Sequence, residues 1–177
     1  IDGAVISITA REEAIGTIQY LGQTINFSLS ANQEFSHEIL SSDFDVLHRT
    51  SGVVENKGIQ ISSSGNITVH AFNIRTTSSD ASVILPDQTL GLEYLVTTHF
   101  NEVTLYPDNF ESTLLIVAVK DQTRVEIQPS VTTINGAQAD QPFQIILNSG
   151  QSYQLKALGD LTGTRVKVIE EDPNLCK

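Results

Sequence analysis

Runs of four to eight residues, in which apolar side chains alternate with polar ones or follow one another unbroken, recur along most of the chain. A two-residue period turns one face of an extended segment to a core and the other to water, so each run predicts a β-strand. Strands are predicted at residues 4–9, 15–20, 24–29, 34–39, 58–62, 67–74 and 81–85. Others follow near 94–99, 102–106, 113–119, 124–128, 143–147, 153–157 and 165–169. Turn residues separate them: Ser64-Gly65-Asn66, Pro86-Asp87, Pro107-Asp108-Asn109, Asn135-Gly136 and Asn148-Ser149-Gly150. No long stretch has a helical 3.6-residue period; residues 10–14 (AREEA) suffice for a single turn. Many short strands without intervening helices predict an all-β fold, an antiparallel β-sandwich.

Composition agrees. Ile, Val and Thr total 49 of 177 residues, against 26 for Leu plus Ala, and β-branched side chains fit a pleated, half-buried surface. The chain also repeats itself. Leu29, Gln33, Phe35 and Leu40 have the same spacing as Leu147, Gln151, Tyr153 and Leu158. Residues 6–20 echo 116–127, and Gly58–Ile61 echoes Gly163–Val166. A duplicated β unit explains this, with a first unit at about 1–108 and a shorter second at 109–177 packed with it; chance likeness among β-rich segments is the alternative. In the second copy the chain stops soon after the strand at 165–169, so an unpaired sheet edge is expected there, completed by a neighbouring subunit or by further polypeptide.

Ten Lys and Arg against 21 Asp and Glu give a net charge of −11, which excludes nucleic acid and anionic membrane surfaces as partners. No apolar run approaches the roughly 18 residues of a membrane helix, so no membrane insertion is expected. The chain begins at Ile1 without a signal peptide, which reads as a processed or trimmed terminus. The single cysteine, Cys176, is either a solvent-exposed tail thiol or half of an interchain disulfide, and it rules out a disulfide-rich scaffold.

Catalytic motifs are missing. His37, His48, His70 and His99 are scattered without zinc-binding spacing, and no nucleophile elbow, phosphate loop or dinucleotide fingerprint occurs. An enzyme is not expected, nor an obligatory cofactor. Asp80, Asp108 and Glu111 are the candidate calcium ligands, although the six to eight oxygens calcium takes are not arranged as an EF-hand; for Asp80 a turn-forming hydrogen bond is the competing reading. Asn26-Phe-Ser28 and Asn66-Ile-Thr68 are N-glycosylation sequons, Asn66 the better placed because it follows a turn. The connection at 99–111 mixes aromatics with carboxylates and amides, the chemistry that sugar recognition uses, and Tyr106, Asp108, Asn109 and Glu111 are its candidate ligand-binding residues. The bland reading makes Phe100, Leu105 and Phe110 core residues around an ordinary hairpin.

Residues 54–73, VENKGIQISSSGNITVHAFN, resemble the signature stretch of the IgGFc-binding protein N-terminal domain family: a Glu-Asn-Lys-Gly-Ile strand, a turn, then Ile-x-Val-x-Ala-x-Asn. The likeness continues through Ser79-Asp80-Ala81, Leu90-Gly91, Tyr94-Leu-Val96, Asp121-Gln-Thr123, Gln151-Ser-Tyr153 and Asp160-Leu-Thr-Gly-Thr-Arg165. Two departures stand out: Asn66 sits where the family usually has proline, and the chain diverges after Arg165. The resemblance implies a secreted or cell-surface β domain with no catalytic motif to transfer. The expected function is a secreted, non-enzymatic recognition or adhesion module, lectin-like, binding glycans or glycoproteins and gaining avidity as a homo-oligomer. The alternative is a structural self-assembly unit of mucus, extracellular matrix or an adhesive surface layer; a hydrolase of extracellular polymer ranks third.

Overall fold

A computed structural model describes residues 3–40, 45–76, 78–99 and 111–169. The alternating runs become antiparallel strands: β1 (Gly3–Ala10), β2 (Ala14–Tyr20), β3 (Gln23–Leu29), β4 (Glu34–Leu40), β5 (Val54–Glu55), β6 (Gln60–Ser63), β7 (Ile67–Arg75) and β8 (Ser78–Ile84). They are followed by β9 (Glu93–Leu95), β10 (Ser112–Val117), β11 (Thr123–Gln128), β12 (Phe143–Leu147), β13 (Ser152–Ala157) and β14 (Arg165–Val168). One 3-10 turn, Asp87–Thr89, occupies the connection after Pro86. Residues 10–14 make no helical turn: Ala10 closes β1 and Ala14 opens β2, both buried, with Arg11, Glu12 and Glu13 exposed between them. The strand expected at 102–106 lies outside the described residues.

By packing, residues 1–48 with 57–90 form one compact unit, and 49–56 with 91–177 form another. The junction expected between 108 and 109 falls outside the described residues. In the first unit a four-stranded sheet, β4-β1-β7-β8, and a three-stranded sheet, β3-β2-β6, share one core. Ile6 and Ile8 of β1, Ile39 of β4 and Val69 of β7 pack in one cluster with Ile18 and Tyr20 of β2 and Phe27 and Leu29 of β3. In the second unit the sheets are β12-β11-β14-β9 and β10-β13-β5. Val125, Ile127, Leu147 and Val166 from the first of these cluster with Tyr153 and Leu155 from the other. Each unit is thus a small β-sandwich, and the i, i+2 spacing of its apolar residues puts them on the sheet face that is buried.

The ladder registers of the two units correspond. Ile8 stands opposite Phe35 on β1·β4, and Ile116 opposite Tyr153 on β10·β13. Ile18 faces Ile25 and Ile61 across β2; Ile127 faces Phe143 and Val166 across β11. The turn containing the repeated glutamine is closed by the same bonds in both. Asn32 N–H donates to the Ala10 carbonyl at 2.8 Å, and Gly150 N–H to the Ala118 carbonyl at 2.9 Å. Gln33 and Gln151 accept at Oε1 from the backbone N–H of Ser30 (3.1 Å) and Asn148 (2.8 Å). The third turn position is left-handed in each, φ 62° at Asn32 and 77° at Gly150, which explains asparagine in one unit and glycine in the other.

The units differ at their edges. β14, expected to leave an open edge, is paired on its far side by β9, with Tyr94 opposite Val166. The missed strand β5 pairs with β13 through Val54 and Glu55, too short a run to show periodicity. β1 is central, between β4 and β7, whereas among the described residues its counterpart β10 pairs with β13 alone.

Candidate functional site

Of the residues singled out in the connection at 99–111, Tyr106, Asp108 and Asn109 lie outside the described residues. Glu111 carries an ion pair, its Oε2 2.8 Å from Lys156 Nζ. Asp80 is exposed within β8, opposite Asn73 on β7, because β8 begins at Ser78 rather than after the aspartate; a turn-forming role is therefore replaced by a ladder position. Asp80 belongs to the first unit and Glu111 to the second. Among the described residues no group of three His, Cys, Asp or Glu is disposed to hold a metal ion. Asn66 is exposed in the turn before β7, while Asn26 is exposed within β3, opposite Thr17. Cys176 is outside the described residues.

Two of the four histidines have clear packing roles. Tyr20 Oη and His37 Nε2 lie 2.9 Å apart, joining β2 of one sheet to β4 of the other. Burial pushes the His37 pKa down and the Tyr20 pKa up. The His70 ring lies 6.4 Å from that of Phe72. The Asp160-Leu-Thr-Gly-Thr stretch has a structural explanation as well. Asp160 Oδ1 accepts from Thr98 Oγ1 at 2.7 Å and from Thr162 N–H at 2.9 Å, and these bonds hold its carboxyl below the usual range. Leu161 and Thr164 are fully buried, the threonine hydroxyl 3.2 Å from Ser130 Oγ.

One concave polar site is a place the sequence did not announce. Where β1 passes to β2, the three consecutive charged residues at 11–13 bend out of the sheet beside the repeated turn and the start of β7. A cleft of about 650 Å³ opens there, with Arg11, Glu12, Asn32, Gln33, Glu34 and Asn66 in its lining. The volume is of small-ligand size. Ser7 Oγ donates to Glu34 Oε1 at 2.8 Å, and the Ala10–Asn32 bond fixes the turn, so the wall is held before any ligand arrives. Arg11 makes no ion pair among the described residues. The cleft therefore presents a guanidinium, carboxylates and amides on an ordered frame, suited to hydrogen-bonding a polar ligand. Its signal in the sequence was Arg-Glu-Glu between two apolar runs, together with the repeated Gln33.

The fold and the cleft define an all-β protein of antiparallel sandwiches that carries a polar concavity on its turns. The family model for IgGFc binding protein matches residues 80–173, more than half of the 177-residue chain. The chain belongs to the IgGFc binding protein family, which is named for binding and not for catalysis. The match runs from β8 through β14; the signature at 54–73 precedes it. No curated protein and no solved structure matches the chain. No helix among the described residues is long and apolar enough to cross a membrane.

Proposed function

We propose that the chain is an extracellular, non-enzymatic recognition module that binds a glycoprotein through its glycan. The observation that carries this reading is the preordered cleft at the β1–β2 connection, with Arg11, Glu12, Gln33 and Asn66 around it. Sugar hydroxyls are bound by fixed amides and carboxylates, and a guanidinium with no ion pair among the described residues suits an acidic sugar or a carboxylate-bearing glycan. Family membership supports a protein or glycoprotein partner. Secretion follows from the same reading, and so do the two sequons, of which Asn66 stands at the cleft's rim. No cofactor is required.

The test is a glycan array probed with the intact, non-reduced protein and with Arg11→Ala, with and without calcium. Selective binding to related sugars that Arg11→Ala weakens supports the reading. A blank array, or binding indifferent to Arg11→Ala, overturns the assignment to this cleft. Loss of binding on chelation would make Asp80, Asp108 and Glu111 the ligands to mutate next. The second reading, a self-assembly unit, is favoured by β10, which among the described residues pairs with β13 alone and leaves Leu115 and Val117 exposed.

A further inference from the structure

The cleft at the β1–β2 connection is continuous with the outer face of a sheet. Its lining includes Thr9, Glu34 and Thr68, which stand side by side across three strands: Thr9 of β1 is opposite Glu34 of β4 and Thr68 of β7. Residues directly opposite one another share a sheet face, and so do residues two apart on one strand. Two positions along, Ser7 therefore lies between Ser36 and His70, with Val83 of β8 beyond His70. Two further along, Val5 lies between Glu38 and Phe72. The other face of these strands is the core, built on Ile6, Ile8, Ile39 and Val69. The Ser7–Glu34 hydrogen bond and the His70–Phe72 ring contact fit this placement, each joining side chains of the outer face.

This face has the relief of a trough. β1 supplies only small side chains to it, and Ser7 in the middle is 8% exposed, while Glu34, Ser36 and Glu38 on the flanking β4 are exposed. On the other flank lie the half-buried rings of His70 and Phe72, and beyond them Val83, which is exposed. One side thus offers carboxylates and a hydroxyl, the other an aromatic and apolar surface. A solvent face does not need the second kind. The outer face of β3-β2-β6, in the same unit, carries Thr17, Gln19, Thr24, Asn26, Gln60 and Ser62 and no aromatic ring. The cleft itself lacks a ring as well: its lining holds charge, amides and hydroxyls, with nothing flat for the C–H face of a sugar to lie against. The electrostatics are graded along the same line. Arg11 is the cation of the cleft's lining, and Glu34 and Glu38 follow one another along the trough.

We propose that the site runs from Arg11 along the outer face of β1 to Phe72, and that its ligand is an oligosaccharide with one acidic sugar at its end and neutral rings behind it. This rests on the reading of the cleft as a glycan site and names the class of glycan. The acidic sugar sits in the cleft with its carboxylate on the Arg11 guanidinium. From Thr9 to Val5 the trough adds about 13 Å, at some 3.3 Å per residue. Neutral rings lie there with their C–H faces on His70 and Phe72 and their hydroxyls toward Glu34, Ser36 and Glu38. Carboxylates that accept from hydroxyls repel anions, so a chain charged on successive rings is rejected. His70 and Phe72 therefore set the length of glycan recognised, and Glu38 its charge.

The experiment titrates the full chain with N-acetylneuraminic acid, the trisaccharide sialyllactose, neutral lactose and a sulfated chondroitin oligosaccharide, by calorimetry and by amide chemical shifts. Sialyllactose is expected to bind about tenfold or more tighter than the free acidic sugar, the size of one good stacking contact. It should shift the amides of Ser7, Ser36, His70 and Phe72, which the monosaccharide leaves in place. His70→Ala and Phe72→Ala, checked for folding by circular dichroism, are expected to bring sialyllactose down to the affinity of the monosaccharide. Phe72→Tyr, which keeps a ring, should restore the gain. The sulfated probe is expected not to bind, and Glu38→Lys, at an exposed position, to admit it. Equal affinity for mono- and trisaccharide, with both weakened by Arg11→Ala, overturns the extended site and leaves the cleft reading standing. A gain that survives both ring deletions overturns it too, as does lactose binding as tightly as sialyllactose or tight binding of the sulfated probe by the unaltered chain. No binding of any probe, together with a blank glycan array, overturns the cleft reading and this proposal with it.

Discussion

Truncating the same core position in the two units tests whether their difference in burial is a property of the molecule in solution. Ile8 and Ile116 occupy corresponding places, opposite Phe35 and Tyr153. Ile8 is fully buried, flanked by β4 and β7; Ile116 is only partly buried, flanked by β13. Removing a fully buried isoleucine side chain to alanine costs about 2–5 kcal/mol, the transfer term plus that of the cavity left behind. Ile8 sits between two strands that cannot both collapse inward, so Ile8→Ala belongs in the upper part of that range. At Ile116 part of the side chain already meets water, which can fill the gap. The expected loss for Ile116→Ala is about 1–2 kcal/mol, from the smaller area returned to water and the missing cavity term.

The assay is urea unfolding followed by circular dichroism, with amide exchange reporting each unit separately, because two units with separate cores need not unfold as one. Exchange in β1, β4 and β7 should accelerate in Ile8→Ala, and exchange in β10 and β13 in Ile116→Ala. Equal losses in the two variants would refute the reasoning, since they would mean that Ile116 is covered in solution as well as Ile8 is.

Gly16→Ala should prevent folding of the first unit or cost several kcal/mol, about 3 or more by the overpacking rule, because the new Cβ would run into the Ser62 carbonyl oxygen and the Phe27 ring; soluble expression and circular dichroism decide it. Stability should fall as the pH drops below about 6.5, the unperturbed histidine value, and level off below the depressed folded value of His37. The unfolded chain takes up that proton first, so acid favours unfolding; His37→Gln should flatten this part of the pH profile in urea melts. Expression in a eukaryotic secretory host should add glycan at Asn66 in its exposed turn and not at Asn26 inside β3, read as a mass loss in Asn66→Gln alone. Arg11→Ala should lower glycan affinity about tenfold or more, the size of a lost charge-assisted hydrogen bond, in the array and in titration.

Periodicity alone located most strands, because in a two-sheet sandwich the face that must be buried imposes alternation directly on the sequence. The repeated Leu-Gln-aromatic-Leu spacing pointed to residues that do share ladder positions, Phe35 with Tyr153 and Leu29 with Leu147. What stayed hidden were features set by distant pairing. β5 is two residues long and is defined by its ladder with β13, some 100 positions further on. β9 overlaps the strand expected at 94–99, but its pairing along β14, where an open edge was expected, is set by residues some 70 positions apart and left no mark in the pattern. The site was less legible than the fold. Asp80 reads as a turn residue until the ladder places it opposite Asn73, and the cleft is assembled from three separate stretches whose approach depends on β1 pairing with both β4 and β7.

Comparing the units also separates what the repeated turn does for the fold from what it does for binding. The backbone bonds from Ala10 and Ala118, the glutamine that caps the turn, and the left-handed third residue are common to both, so these are scaffold. The side chains presented outward are not. Positions that carry Arg11, Asn32 and Glu34 in the first unit carry Val119, Gly150 and Ser152 in the second, and β7 with Asn66 closes the cleft only in the first. The same ladder thus supports two chemically unlike surfaces, and recognition is decided by a handful of turn residues and by which neighbouring strand is present.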